Sequence, residues 1–173
     1  MALAKVGTAR SAARSEDSRQ ASPDEPKSSA PPPPPHRPGD LFRDLARTAS
    51  AFTVAYVSHD ARDGHDRSFG DSGVRAARYA SAAFAQALNE RNTEPDSWSR
   101  WRAQQVVVSA EVLLVRLPNG VPHPALDVVP VHVKYVRTVR PRMGFTACEF
   151  GELPLRLRRG AESRWVVDEA PRV

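Results

Sequence analysis

Residues 131–139 read VHVKYVRTV. Apolar and polar side chains alternate there. Val131, Val133, Tyr135 and Val139 fall on one face, and His132, Lys134 and Thr138 on the other, with His132 turned to solvent. Successive side chains of a strand point to opposite sides of a sheet, so this spacing predicts a strand with one buried face. The same period runs outward in both directions. Upstream, AQQVVVSAEVLLVRL (103–117) is too rich in valine for a comfortable helix and places Val106, Val108, Ala110, Val112 and Leu114 on one face. Downstream, Phe145 to Phe150 is a weaker strand. LPLRLRR (153–159) sets Leu153, Leu155 and Leu157 against Pro154, Arg156 and Arg158, and RWVVDEAP ends in a short strand. PNGVPHP (118–124), PRMG and RGAES supply the turns.

The period changes N-terminal to this run. After Asp40, a residue suited to cap a helix, Leu41, Leu45, Thr48, Ala49, Phe52 and Tyr56 recur at helical spacing. They predict an amphipathic helix from about Leu41 to Val57. The polar stretch SHDARDGHDRSFGDSG (58–73) ends it. A second, alanine-rich helix is expected from about Gly73 to Asn89, capped by Asp71 or Ser72, with Val74, Ala77, Ser81, Phe84 and Leu88 on its buried face. Residues 92–96, with Pro95, break the pattern. Helices followed by strands with no helices between them indicate an α+β fold with an antiparallel sheet. A curved sheet folded over the helices would bury both apolar helix faces.

Residues 1–40 hold 8 of the 16 prolines, five of them consecutive at 31–35, and no aromatic residue. Such a stretch cannot bury enough apolar surface to offset its ordering entropy, so it reads as a disordered tail with a stiff polyproline spacer. The folded domain is then residues 41–173. The start MALAKVGTAR lacks the apolar core of a secretory signal, and no run approaches the 18 apolar residues of a membrane span. The chain is therefore expected in the cytoplasm, reaching any membrane-associated complex through partners.

The net charge of +5 needs dissection. Of 25 basic residues 22 are arginine, and isoleucine is absent from the 173. That is the signature of a GC-rich genome rather than of selection for a polyanion. Residues 98–173 carry 12 basic and 7 acidic side chains, so the excess lies in the strand-forming half. Arg137, Arg140 and Arg142, joined by Arg156, Arg158 and Arg159, could contact phosphates, which keeps a nucleic-acid adaptor among the readings. Aromatic interleaving is thin, and a solvated basic rim is the simpler account.

The segment ASAFTVAYVSHD, with Ala49, Phe52, Ala55, Tyr56 and Asp60, followed by the alanine-rich helix and a closing strand with Trp165, Val167 and Pro171, resembles the nuclear-transport-factor-2-like cone fold. Within that superfamily the likeness is nearest to actinobacterial relatives of the conjugative-transfer assembly proteins of type IV secretion systems. The resemblance covers about residues 41–173. It implies helices packed on a curved antiparallel sheet and a non-enzymatic scaffold role. Protein partners are expected, with self-association as one option. Members of that family usually carry one transmembrane helix before the domain. Here a Pro-rich polar tail stands in that place. A lost anchor, a soluble offshoot and a gene start lying elsewhere all stay open.

Cone-fold enzymes often hold a polar group inside the cavity of the sheet, and burial would raise the pKa of a carboxylate there. Tyr56, Asp60 and Tyr135 are the ligand-pocket candidates, with a small-molecule-binding or acid/base role as the alternative. His59, Asp60, Asp63, His65 and Asp66 are metal-ligand types, but they match no established spacing, so the stretch reads as a solvated linker and cap. No catalytic residue, metal or cofactor is assigned. Trp98 and Trp101, with Arg156 and Arg158, are interface candidates. The two indoles serve equally well to seal the sheet's end against the helices. The single Cys148 forms no intrachain disulfide and reads as a small, partly buried strand residue.

Overall fold

The computed structural model describes residues 38–90, 95–119 and 127–172, all within the second of two compact units, Pro35–Val173. Residues 1–37 of the expected tail lie outside the described residues, as does most of the 118–124 connection, while 38–40 belong to the first helix rather than to a tail.

Helix α1 spans Pro38–Val57. It starts two residues earlier than Asp40, and a proline suits a first turn because the N–H it lacks would have no partner inside the helix. Asp40 is therefore not the cap. It lies in the first turn, where its carboxylate accepts from Arg43 at 3.1 Å. Leu45, Ala49, Phe52, Thr53, Tyr56 and Val57 form the buried stripe, as their spacing of three and four requires. Thr53 satisfies its hydroxyl on the Ala49 carbonyl one turn back, at 2.8 Å.

The single helix expected over Gly73–Asn89 is two helices. Helix α2 (Asp71–Ala76) runs into a 3-10 turn at Ala77–Tyr79, and α3 covers Ala82–Asn89. Ala80 is extended and makes a parallel bridge to Val167, and the Ser81 N–H donates to the Val167 carbonyl at 2.8 Å. That contact interrupts the helix, and Ser81 restarts it as the cap of Phe84 N. Phe84, Leu88 and Ser81 are buried as the spacing predicts. Val74 is not: it is 57% exposed, because the break turns α2 independently of α3. Helix α4 (Asp96–Ala103) was not anticipated.

The strands form one antiparallel meander in the order β1 (His59–Asp60), β2 (Val107–Arg116), β3 (Val128–Arg140), β4 (Ala147–Arg159), β5 (Trp165–Glu169). The sheet curls around α1 as a half-barrel, which confirms the α+β cone expectation. Val129, Val131, Val133 and Tyr135 from β3 and Leu153, Leu155 and Leu157 from β4 meet the stripe of α1 in one core with Trp165 and Val167. Two details depart from the simple alternation. A bulge between Val112 and Leu114 shifts the register so that Val115, not Leu114, stands opposite Val133. Leu114 is consequently exposed. The two expected strands at 145–150 and 153–159 are also one continuous strand, β4.

β5 pairs with β4 only from Arg156 onward, so Pro154 lies on an open edge. Pro130 lies past the last β2 pair, Arg116–His132. Both prolines thus occupy places where a missing N–H is tolerated.

Candidate functional site

The structure separates the residues singled out from the sequence. Tyr56 and Tyr135 belong to the buried core. The Tyr56 hydroxyl donates to the Pro171 carbonyl at 3.1 Å, tying the segment after β5 to α1. The Tyr135 ring lies against Gly151. Asp60 sits elsewhere, at the surface end of β1. It accepts from Arg62 Nε at 2.8 Å and Nη2 at 2.6 Å, with His65 at 3.2 Å. The hydrogen bond from Arg62 holds its carboxyl below the usual carboxylate range.

The polar stretch after α1 is more than a solvated linker. His59, Ala61 and Asp66 are buried. Asp66 accepts from the Asp60 backbone N–H at 2.8 Å and pairs with Arg75, whose second nitrogen also reaches the Ser58 carbonyl at 2.7 Å. One guanidinium thus closes the loop onto α2, with both carboxylate oxygens satisfied. His59 stacks on Phe69 at 4.3 Å, and Trp98 and Trp101 complete the cluster at 6.1 and 5.7 Å from the imidazole. Burial pushes the His59 imidazole down to about 4, against the opposing pull of Asp66. Its Nδ1 and Trp98 Nε1 are buried without a hydrogen-bond partner among the described residues. Trp98 is 2% exposed and, with the half-buried Trp101, seals the β1 end of the sheet. Among the described residues, no group of three or more His, Cys, Asp or Glu is placed to hold a metal ion.

Arg156 and Arg158 project from the outer face of β4, and both reach Asp168 on β5, at 3.5 and 2.9 Å; Arg156 also reaches Glu169 at 3.0 Å. The expected basic rim is therefore interleaved with acid. A similar knot links Glu152 to His132 and to Arg116. The hydrogen bonds from His132 and then Arg116 keep the Glu152 carboxyl low.

The sequence reading missed an apolar arm. Beyond Tyr135 and Gly151 the β3–β4 hairpin extends past the core, and its inner face carries an Arg137–Glu149 pair with Nε at 2.7 Å. Met143 and Phe145 near its tip are 87% and 98% exposed, and Phe150 on its outer face is 81% exposed. Phe150 stands opposite Val136, which stands opposite Glu111 on β2. Leu113 and Leu114 add apolar surface on that neighbouring strand. Exposed apolar residues taken singly are ordinary, but the described arm carries three large ones at 81–98% exposure. Cys148 lies on the same arm and is exposed, not partly buried as expected, because no element among the described residues covers that stretch.

A long helix cupped in a curved five-stranded antiparallel meander defines an α+β domain with the cone fold. No protein-family model matches the chain, and no curated protein matches it in sequence. Among solved structures it is similar to Agrobacterium tumefaciens VirB8, at 12% identity and a TM-score of 0.54 over 79% of this chain and 94% of that one. It is similar to an IcmL-like type IV secretion system protein of Legionella pneumophila, at 14% and 0.52 over 79% and 91%. CagV, a VirB8 homolog from the Helicobacter pylori type IV secretion system, matches at 8% and 0.51 over 75% and 95%. At these identities the shared property is the fold. No helix among the described residues is long and apolar enough to cross a membrane.

Proposed function

We propose that this chain is a non-enzymatic assembly domain that holds protein partners together in a conjugative-transfer or type IV secretion-like apparatus. The observation that carries the reading is the contrast between the two sides of the sheet. The concave side is filled by the α1 stripe, with the Tyr56 hydroxyl engaged by Pro171 and the Tyr135 ring packed on Gly151. The hairpin arm instead offers Met143 and Phe145 near its tip, and Phe150 on its outer face, to solvent. A domain built to bind partners presents apolar side chains outward, whereas one built to turn over a small molecule keeps polar groups in an open interior. The fold shared with VirB8, CagV and the IcmL-like protein supports a place in such an apparatus.

The test is genetic and structural together. Deleting the gene should abolish transfer of a mobilisable plasmid, and the wild-type chain should restore it. Phe145→Glu/Phe150→Glu should fold and accumulate normally yet fail to restore transfer. Undiminished transfer in the deletion strain would overturn the reading.

A further inference from the structure

We propose that the groove between the first half of α1 and the β4–β5 turn seats an extended acidic segment of a partner protein. The groove has a volume of about 730 Å³. One wall is α1 from Leu41 to Thr48, two helical turns or about 10 Å, which spans roughly three residues of extended peptide. Ala80, which lines the groove, bridges to Val167.

Four arginines line it: Arg47, Arg78, Arg159 and Arg164. Two are committed only loosely. Arg47 pairs with Asp44 at 3.4 Å and Arg164 with Glu162 at 3.3 Å, all four side chains more than half exposed. Such pairs contribute little and exchange readily. The other two have no carboxylate within ion-pair distance among the described residues. The Arg159 guanidinium sits over the Trp165 ring at 5.2 Å, and its Nε is buried without a hydrogen-bond partner. Arg78 sits over Tyr79 at 5.6 Å, with Nε donating to the Arg75 carbonyl at 3.0 Å.

A guanidinium laid on a ring has its face covered and its N–H edge presented. That edge matches a carboxylate with two parallel hydrogen bonds. The groove therefore holds two guanidinium groups with no carboxylate partner among the described residues, and Leu41 and Val166 add apolar lining. The same features disfavour a nucleic acid. An arginine already lies over each of the groove's two aromatic rings, and Trp165 is buried, so neither ring is an open platform for stacking bases; Asp44 and Glu162 on the walls would meet a continuous phosphate backbone with like charge. Carboxylates spaced along a peptide can fall between them. The nature of the partner rests on the assembly reading above.

The test is fluorescence anisotropy at low salt, with the full chain and a fluorescein-labelled decapeptide of alternating Glu and Gly. The wild-type chain should bind it. Arg78→Ala should weaken binding roughly ten-fold, as loss of one charge-assisted contact does. Arg159→Lys, which keeps the charge and spares the core but removes the fork, should weaken it similarly. The Arg156→Ala/Arg158→Ala pair, outside the groove, should bind as wild type. Undiminished binding by the Arg78→Ala/Arg159→Lys chain would overturn the proposal. So would a single-stranded oligonucleotide or free succinate binding as tightly as the peptide. If the peptide does not bind while Phe145→Glu/Phe150→Glu still abolishes transfer, the groove proposal falls and the assembly reading stands. If the peptide binds in the groove while the deletion strain transfers normally, the reverse holds.

Discussion

The Tyr135 ring rests directly on the backbone of Gly151, the residue opposite it on the neighbouring strand. A Cβ placed on Gly151 would meet Tyr135 Cζ at 2.4 Å and Oη at 2.5 Å. The glycine is thus required by space rather than by its backbone angles. The pair lies where the filled core gives way to the projecting arm.

Gly151→Ala should accordingly destabilise the domain by about 1–3 kcal/mol, the usual cost of overpacking. Tyr135→Leu removes the obstructing end of the ring, so Gly151→Ala should cost less in that background. Urea unfolding of the four chains of the cycle measures the coupling. Simple additivity would mean that the ring does not occupy this place.

The buried imidazole of His59 predicts an acid-sensitive domain. Its pKa falls from 6.5 unfolded to about 4 folded, chiefly through burial. Between these values the unfolded chain binds the extra proton, so stability is full above pH 6.5 and declines as the pH falls toward 4, by about 3 kcal/mol in all. Asp60, Asp71 and Glu152 are also lowered, from 3.8, 3.8 and 4.5, so their contributions are lost only at lower pH. His59→Phe should flatten the decline of Tm between pH 6.5 and 4.5. An unchanged slope would place the titration elsewhere.

Removing one partner of the Asp66–Arg75 pair leaves the other charge with poor solvation. Asp66→Ala also leaves the Asp60 N–H without its acceptor, and it should cost about 3 kcal/mol. Arg75 is the more exposed partner, so Arg75→Ala should cost less. The double variant should lie well short of the sum, and calorimetric unfolding would show this.

Two phenylalanines should behave oppositely. Phe52 has no exposed surface and packs on Tyr56 at 5.2 Å and Phe84 at 6.1 Å between ring centres. Phe52→Ala should cost about 3–5 kcal/mol. Phe150→Ala should change stability by no more than about 0.5 kcal/mol. A large loss at Phe150 would show that the arm is covered by the domain itself.

Much of the architecture could be read from local pattern. The helical stripe Leu45–Ala49–Phe52–Tyr56 and the alternation Val131–Val133–Tyr135 each bury one face, and burial is what a period encodes. The errors lie where a distant residue intervenes. Ala80 leaves the helical conformation because Val167, far along the chain, offers its backbone. Leu114 points outward because a bulge resets its register against β3. Phe150 could have been placed outward from the sequence: it shares parity with Glu152, Pro154, Arg156 and Arg158 once β4 is taken as one strand. Reading two strands hid that parity.

The sequence by itself therefore determined the α+β class and the buried faces of α1, β3 and the C-terminal half of β4, because side-chain periodicity is a local property that hydrophobic burial acts on directly. The tertiary structure alone decided which polar groups meet. His59 goes inside while Asp60 beside it stays at the surface. Asp66 finds Arg75. Arg78 and Arg159 come to line one groove. Such meetings depend on strand register, bulges and the curvature of the sheet, which are settled by contacts between residues far apart in the chain.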